Sequence, residues 1–95
     1  MKIVWSPLAR HRAEAAAAFI AADSPGASIA WYQGLIERIE LLRGAPEQGR
    51  VVAEWYEDSV REILYAPYRV IYDLFEDRIE IITLAHFRER FPEQR

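Results

Sequence analysis

The apolar residues of this chain change period once, near Gly49, and that switch constrains the fold more than any other feature. Up to Leu42 they recur every three or four positions, as on one face of a helix. Beyond Gly49 they recur every second position, and β-branched and aromatic residues take over, as in strands. Helical and extended segments are therefore segregated along the chain, which points to an α+β domain.

Local signals place the elements. Lys2-Ile3-Val4-Trp5 is a short β-prone run stopped by Ser6-Pro7, and a capping Ser followed by Pro at the first helical position starts a helix. Leu8, Arg12, Ala16 and Ile20 step by four, flanked by Ala9, Ala13 and Phe19, so this helix carries an alanine-rich stripe that a second helix can approach closely. Ser24-Pro25 repeats the start signal, and Ile29, Tyr32, Leu35, Ile36, Ile39 and Leu42 carry a second helix to Leu42. Arg43-Gly44 followed by Pro46 predicts its end, with Gly44 as a left-handed cap.

After the switch, strands are predicted over residues 50–53, 60–65, 68–75 and 79–85, forming a mainly antiparallel meander packed on the helices. With Glu76 and Asp77 as a two-residue loop, Val70, Tyr72 and Leu74 share a face with Ile79, Ile81 and Thr83, and that face meets the helical hairpin. The opposite face carries Arg69, Ile71, Asp73 and Phe75 beside Arg78, Glu80, Ile82 and Leu84. Half apolar and half charged, it has the pattern of a surface that something else covers. Residues 86–95 read as a frayed or short helical tail.

Composition narrows the function classes. Ninety-five residues make one domain, 1–95, because a chain this short buries only roughly 60–65% of its unfolded surface around a single core. With 52% hydrophobic residues and three Trp it is too apolar for a disordered chain. The lack of Cys removes a disulfide framework, a thiolate nucleophile and a Cys-based zinc site, and two distant His do not compose a metal site, so no metal or cofactor is expected. The longest strictly apolar run, residues 15–22, falls far short of the roughly 20 residues of a membrane span. The expectation is a soluble, uncleaved protein of the reducing cytoplasm. A net charge of −3 argues against nonspecific coating of nucleic acid, and the imbalance sits after Gly49, where seven Arg face ten acids.

The order of elements, with Trp5-Ser6-Pro7-Leu8-Ala9 at the first junction, Phe19-Ile20-Ala21 and Asp23-Ser24-Pro25 at the hairpin, and Pro46-Glu47-Gln48-Gly49-Arg50 after it, resembles the RelE/ParE family of type II toxin–antitoxin toxins. Arg61-Glu62, Tyr68-Arg69-Val70-Ile71-Tyr72 and the run from Ile79 to His86 with Arg88 complete the resemblance, which covers nearly the whole chain. It implies a growth-inhibiting toxin held in a hetero-oligomer by a cognate antitoxin. In that family, which includes plasmid stabilisation proteins, the antitoxin carries the DNA-binding part.

Two activities are implied, and they differ in chemistry. RelE-like members cut mRNA on the ribosome; ParE-like members poison DNA gyrase without cutting anything themselves. Cleavage through the RNA 2′-OH needs a base, an acid and cations at phosphorus. Where RelE-like toxins place lysines, this chain has Val60-Arg61-Glu62-Ile63, and Phe87 and Phe91 lack the hydroxyl of the family's catalytic tyrosine. The ParE-like reading is therefore preferred and no catalytic residue is assigned to it; a nuclease would be left with Arg69, His86 and Arg88.

Target contacts are expected from Arg61, Arg69, His86, Arg88 and Arg90, and antitoxin anchors from Trp31, Trp55 and Tyr56, which fall outside the predicted core stripes. Structural alternatives stand beside them: Arg69 paired with Glu62, Asp73 or Glu80, His86 as a hydrogen-bonding strand end, either Trp closing an edge of the core. Arg10, His11 and Arg12 crowd positive charge at a helix start, where the macrodipole disfavours it, and an acidic partner is one explanation.

Overall fold

Two serines set the helical hairpin. In a computed structural model that describes residues 1–91, strand β1 (Lys2–Trp5) leads into Ser6, whose Oγ accepts from the amide of Ala9 at 2.9 Å and opens α1 (Pro7–Asp23). Ser24 closes one helix and opens the next: its amide donates to the Ile20 carbonyl at 2.9 Å, while its Oγ accepts from Ala27 at the start of α2 (Pro25–Glu40). Ala9, Ala13 and Ala16 are buried, whereas Leu8 and Phe19 of the same predicted stripe are 51% and 83% exposed, so the alanines alone make the close approach. The Ser28 hydroxyl reaches across the hairpin to the Ala17 carbonyl at 2.6 Å. Helix α2 tightens into a 3-10 turn over Leu41–Arg43. Gly44 is not the left-handed cap predicted: its φ is −89°, and its amide donates to Leu41 in the i→i+3 pattern that ends the turn without a left-handed residue.

Beyond the hairpin come β2 (Arg50–Val51), β3 (Val60–Tyr65), β4 (Tyr68–Leu74) and β5 (Arg78–His86), in one five-stranded sheet of order β1-β5-β4-β3-β2. The pairs are antiparallel except β1 with β5, which is parallel. The predicted two-residue loop at Glu76-Asp77 forms, with the Phe75 amide donating to the Arg78 carbonyl. One face meets the hairpin: Ile63, Val70, Tyr72, Ile79, Ile81 and Leu84 pack with Ala9, Ala13, Leu35, Ile39 and Leu42.

The predicted facing pattern holds as far as Ile81 and then inverts. Tyr72 pairs with Ile81 but Ile71 pairs with Thr83, so Ile82 is an extra residue and everything after it changes face. Leu84 joins the helix-side core, and Thr83 moves to the other side. The Ser6 hydroxyl fastens this bulge, donating to the Ile82 carbonyl at 2.6 Å, and the Ser6 amide donates to Ile81.

The other face has a core of its own. Strand β2 stops at Val51, short of the predicted 53, because Val52 turns in and is fully buried with Trp55, Val60, Ile71 and Ala85; Ile82 and Phe91 pack on this cluster. The half-apolar face is thus covered in part by the chain's own β2–β3 segment. The tail is tied down, not frayed, as far as it is described: Arg12 donates to the Leu84 carbonyl at 2.8 Å and to the Glu89 carboxylate at 3.0 Å, and Glu89 accepts from the His86 amide. Arg12 therefore has an internal acidic partner. Residues 92–95 of the predicted tail lie outside the described residues.

Candidate functional site

The charged side chains of the outer face converge on Glu62. It sits on β3 opposite Arg50 of β2 and diagonal to Arg69 of β4, all pointing away from the helices. The Arg69 guanidinium donates to Glu62 through Nε at 3.1 Å and through Nη2, and to Glu54 through Nη1 and Nη2 at 3.0 and 3.1 Å. Arg50 adds two donors to Glu62, at 3.2 and 3.0 Å. The Phe91 ring covers the Arg69 guanidinium at 3.9 Å.

Exposure grades the four charges: the Glu62 side chain is 2% exposed, Arg69 17%, Glu54 43% and Arg50 68%. A carboxylate as buried as Glu62 persists only with its hydrogen-bonding capacity filled, and two arginines fill it here. Burial opposes the charge on Arg69, but the hydrogen bonds to Glu54 and Glu62 outweigh it and hold its pKa far above the ordinary value. The hydrogen bond from Arg69 in turn holds the Glu54 carboxyl below the usual carboxylate range. Beside this network opens a cleft of about 500 Å³, walled by Val51, Leu64 and Phe87.

The other residues singled out in the sequence are dispersed. Arg61 donates to the carbonyls of Gly49 at 2.8 Å and Glu47 at 3.3 Å, so it braces the turn into β2. His86 ends β5 with its ring edge-on to Tyr68 at 5.3 Å, and its Nδ1 accepts from the Arg88 amide at 3.0 Å. Arg88 and Arg90 are exposed in the segment after β5. Trp31 is half-buried against Tyr65 and Tyr68 at 6.0 and 5.6 Å. Trp55, at 7% exposure, closes the second core and offers little of its ring to a partner, whereas Tyr56 is 92% exposed with a φ of 53°. Among the described residues no three His, Asp or Glu side chains are placed to hold a metal ion, and no helix is long and apolar enough to cross a membrane.

Residues 3–91 match the family described as the ParE toxin of the type II toxin-antitoxin system, parDE. The chain belongs to this family. The solved structure titled "Chromosomal ParDE TA system from P. aeruginosa" is similar to it with a TM-score of 0.74 at 17% identity, over 90% of this chain and 95% of that one, so the likeness extends to the fold. No curated protein matches the sequence.

In this ParE-type toxin the residues left to a nuclease are not assembled. Arg69 points to the outer face and is engaged by two carboxylates, whereas Tyr68, the neighbour on β4 that carries the His86 contact, points to the helix side. Sequence reasoning named Glu62 as a partner for Arg69 but missed Glu54 and Arg50. Their membership depends on the register of a two-residue strand and on a loop that folds back, neither of which leaves a periodic signal.

Proposed function

We propose that this ParE-type toxin arrests growth by binding DNA gyrase and that a cognate antitoxin neutralises it in a hetero-oligomer. The observation that carries the choice of target is the state of Arg69. A ribonuclease that stabilises charge at phosphorus needs cations free to meet the phosphate. Arg69, within the Tyr68–Tyr72 motif of the family resemblance, has its donors directed at Glu54 and Glu62 instead. His86 lies toward the opposite face, and the chain is net acidic. A protein target fits such a surface better than RNA does. The contact to gyrase is assigned to the exposed Arg88 and Arg90 with Phe87, in the segment that the Arg12–Glu89 pair braces against α1. Arg69 supports that surface from beneath the Phe91 ring, whereas Arg61 is engaged at the turn into β2. DNA binding is assigned to the complex and not to the toxin alone.

The test adds purified toxin separately to a gyrase supercoiling assay and to a translating extract. Inhibited supercoiling with stabilised cleaved DNA, and intact mRNA, is the expected result. Cuts at codon positions in mRNA with normal supercoiling would refute it, and silence in both with tight antitoxin binding would mark the chain as an antitoxin-binding module without a target.

A further inference from the structure

We infer that the cleft beside Glu54 is the seat for a carboxylate-bearing, apolar segment of the antitoxin, and that Glu54 occupies that seat in the free toxin. The inference rests on the antitoxin reading above and adds to it a site and a mode of exchange.

Three observations lead there. First, the four charges are not equivalent. Arg50, Glu62 and Arg69 are held in strands, but Glu54 lies past the end of β2, in the turn between Val52 and Trp55, and is the more exposed of the two carboxylates. Second, Glu54 takes only the outer donors of Arg69, the inner ones being satisfied by Glu62. If Glu54 swings out to solvent, two guanidinium groups remain against one buried carboxylate, a net positive seat with bidentate geometry for an incoming carboxylate. A basic or wholly apolar occupant would leave those donors unpaired. Third, the wall of the cleft is apolar and uncovered: Val51, Leu64 and Phe87 are 41%, 46% and 49% exposed around about 500 Å³, room for one or two side chains. An acidic residue next to an aliphatic or aromatic one matches both halves of the site. Exchange of one carboxylate for another on Arg69 keeps the charge balance, so the segment binds without leaving a buried ion alone.

The experiment measures the affinity of the cognate antitoxin for three toxins: the parent, Glu54→Gln and Leu64→Glu. Both substituted side chains are at least 40% exposed, and circular dichroism confirms that each variant folds. Removing the internal competitor should tighten the complex about three- to fivefold, the range of an exposed charged pair. Leu64→Glu, which places a negative charge on the apolar wall, should weaken it by about tenfold or more. A merely structural Glu54 would not give tighter binding on its removal. If the parent binds antitoxin and Glu54→Gln leaves the affinity within twofold or weakens it, or Leu64→Glu has no effect, the cleft is not the seat while neutralisation stands. If the parent does not bind the antitoxin at all, both readings fall.

Discussion

Replacing Tyr72 with Phe tests the link between the helix-side core and the charged face. Tyr72 is fully buried, its ring packed between the sheet and α2, and its hydroxyl donates to the Pro46 carbonyl at 2.7 Å while accepting from the Gly49 amide at 3.0 Å. Phe keeps the ring, so no cavity forms and the change isolates two hydrogen bonds. Gly49 is buried, and its orphaned amide costs about 1–3 kcal/mol. Pro46 is only half-buried, so water can reach its carbonyl and that loss adds about 0.5 kcal/mol. The sum, about 1.5–3.5 kcal/mol, is a large part of the roughly 5–15 kcal/mol that holds a domain of this kind. Melting should fall by roughly 10 °C or more. Urea titration followed by circular dichroism and Trp fluorescence gives the number, with an unchanged slope confirming that the folded state is the same. A loss below about 0.5 kcal/mol would refute the claim that this hydroxyl pins the turn over 46–49.

The same substitution has a pH signature. Burial pushes the Tyr72 hydroxyl above its ordinary value, with the Gly49 hydrogen bond acting in the other direction. A group whose pKa is raised on folding contributes stability that is complete below the unfolded value, about pH 10 for Tyr, and is lost as pH rises through the folded one. The parent therefore loses stability above about pH 10 by a route closed to Tyr72→Phe, and the gap between the two proteins narrows there. A gap that is constant or widens up to pH 11 contradicts the assignment.

Gly49→Ala should be more damaging than its small size suggests, because a Cβ there would stand 2.6 Å from the Tyr72 hydroxyl and 2.7 Å from the Glu62 carbonyl oxygen. Neither the buried ring nor the strand can yield, so about 3 kcal/mol is the expected cost in denaturant, relieved only in part in combination with Tyr72→Phe. Ser6→Ala removes both the cap on α1 and the bond to the Ile82 carbonyl and should cost about 2 kcal/mol by the same titration; a loss as small as an exposed cap gives, about 0.5 kcal/mol, would show that the bulge does not depend on it. Trp55→Ala empties the second core and should cost about 3–5 kcal/mol, whereas a residue serving only as a partner's anchor would cost almost nothing in the free toxin.

What was legible in the sequence was what is decided locally. Ser6-Pro7 and Ser24-Pro25 start helices because a side-chain oxygen and a missing amide act within one turn, and both starts fall where the residues place them. The helix-facing set Val70, Tyr72, Ile79 and Ile81 follows from a two-residue loop and strict alternation. Alternation says nothing of an inserted residue, so the bulge at Ile82 reversed Thr83 and Leu84 without warning. The parallel pairing of β1 with β5 was equally hidden, since it joins residues more than seventy positions apart and depends on the hairpin crossing over the sheet.

The charged face shows where this boundary matters for function. Its mixed pattern suggested a surface covered by something else, whereas part of the cover is the chain itself, through Val52, Trp55 and Phe91. What they leave open is the strip from Val51 to Phe87 around Arg69. Glu62 connects the two halves. Turned to the helix side, it would have entered a wholly apolar core; turned outward, it is buried between two arginines and fixes Arg69 in place. A one-residue slip of β3 would exchange Glu62 with Arg61 or Ile63 on that face, so its register and the charge of the cleft are selected together. Arg69 is thereby held as a fixed donor between Glu62 and Glu54, and the proposed exchange of Glu54 for a carboxylate of the antitoxin starts from that geometry.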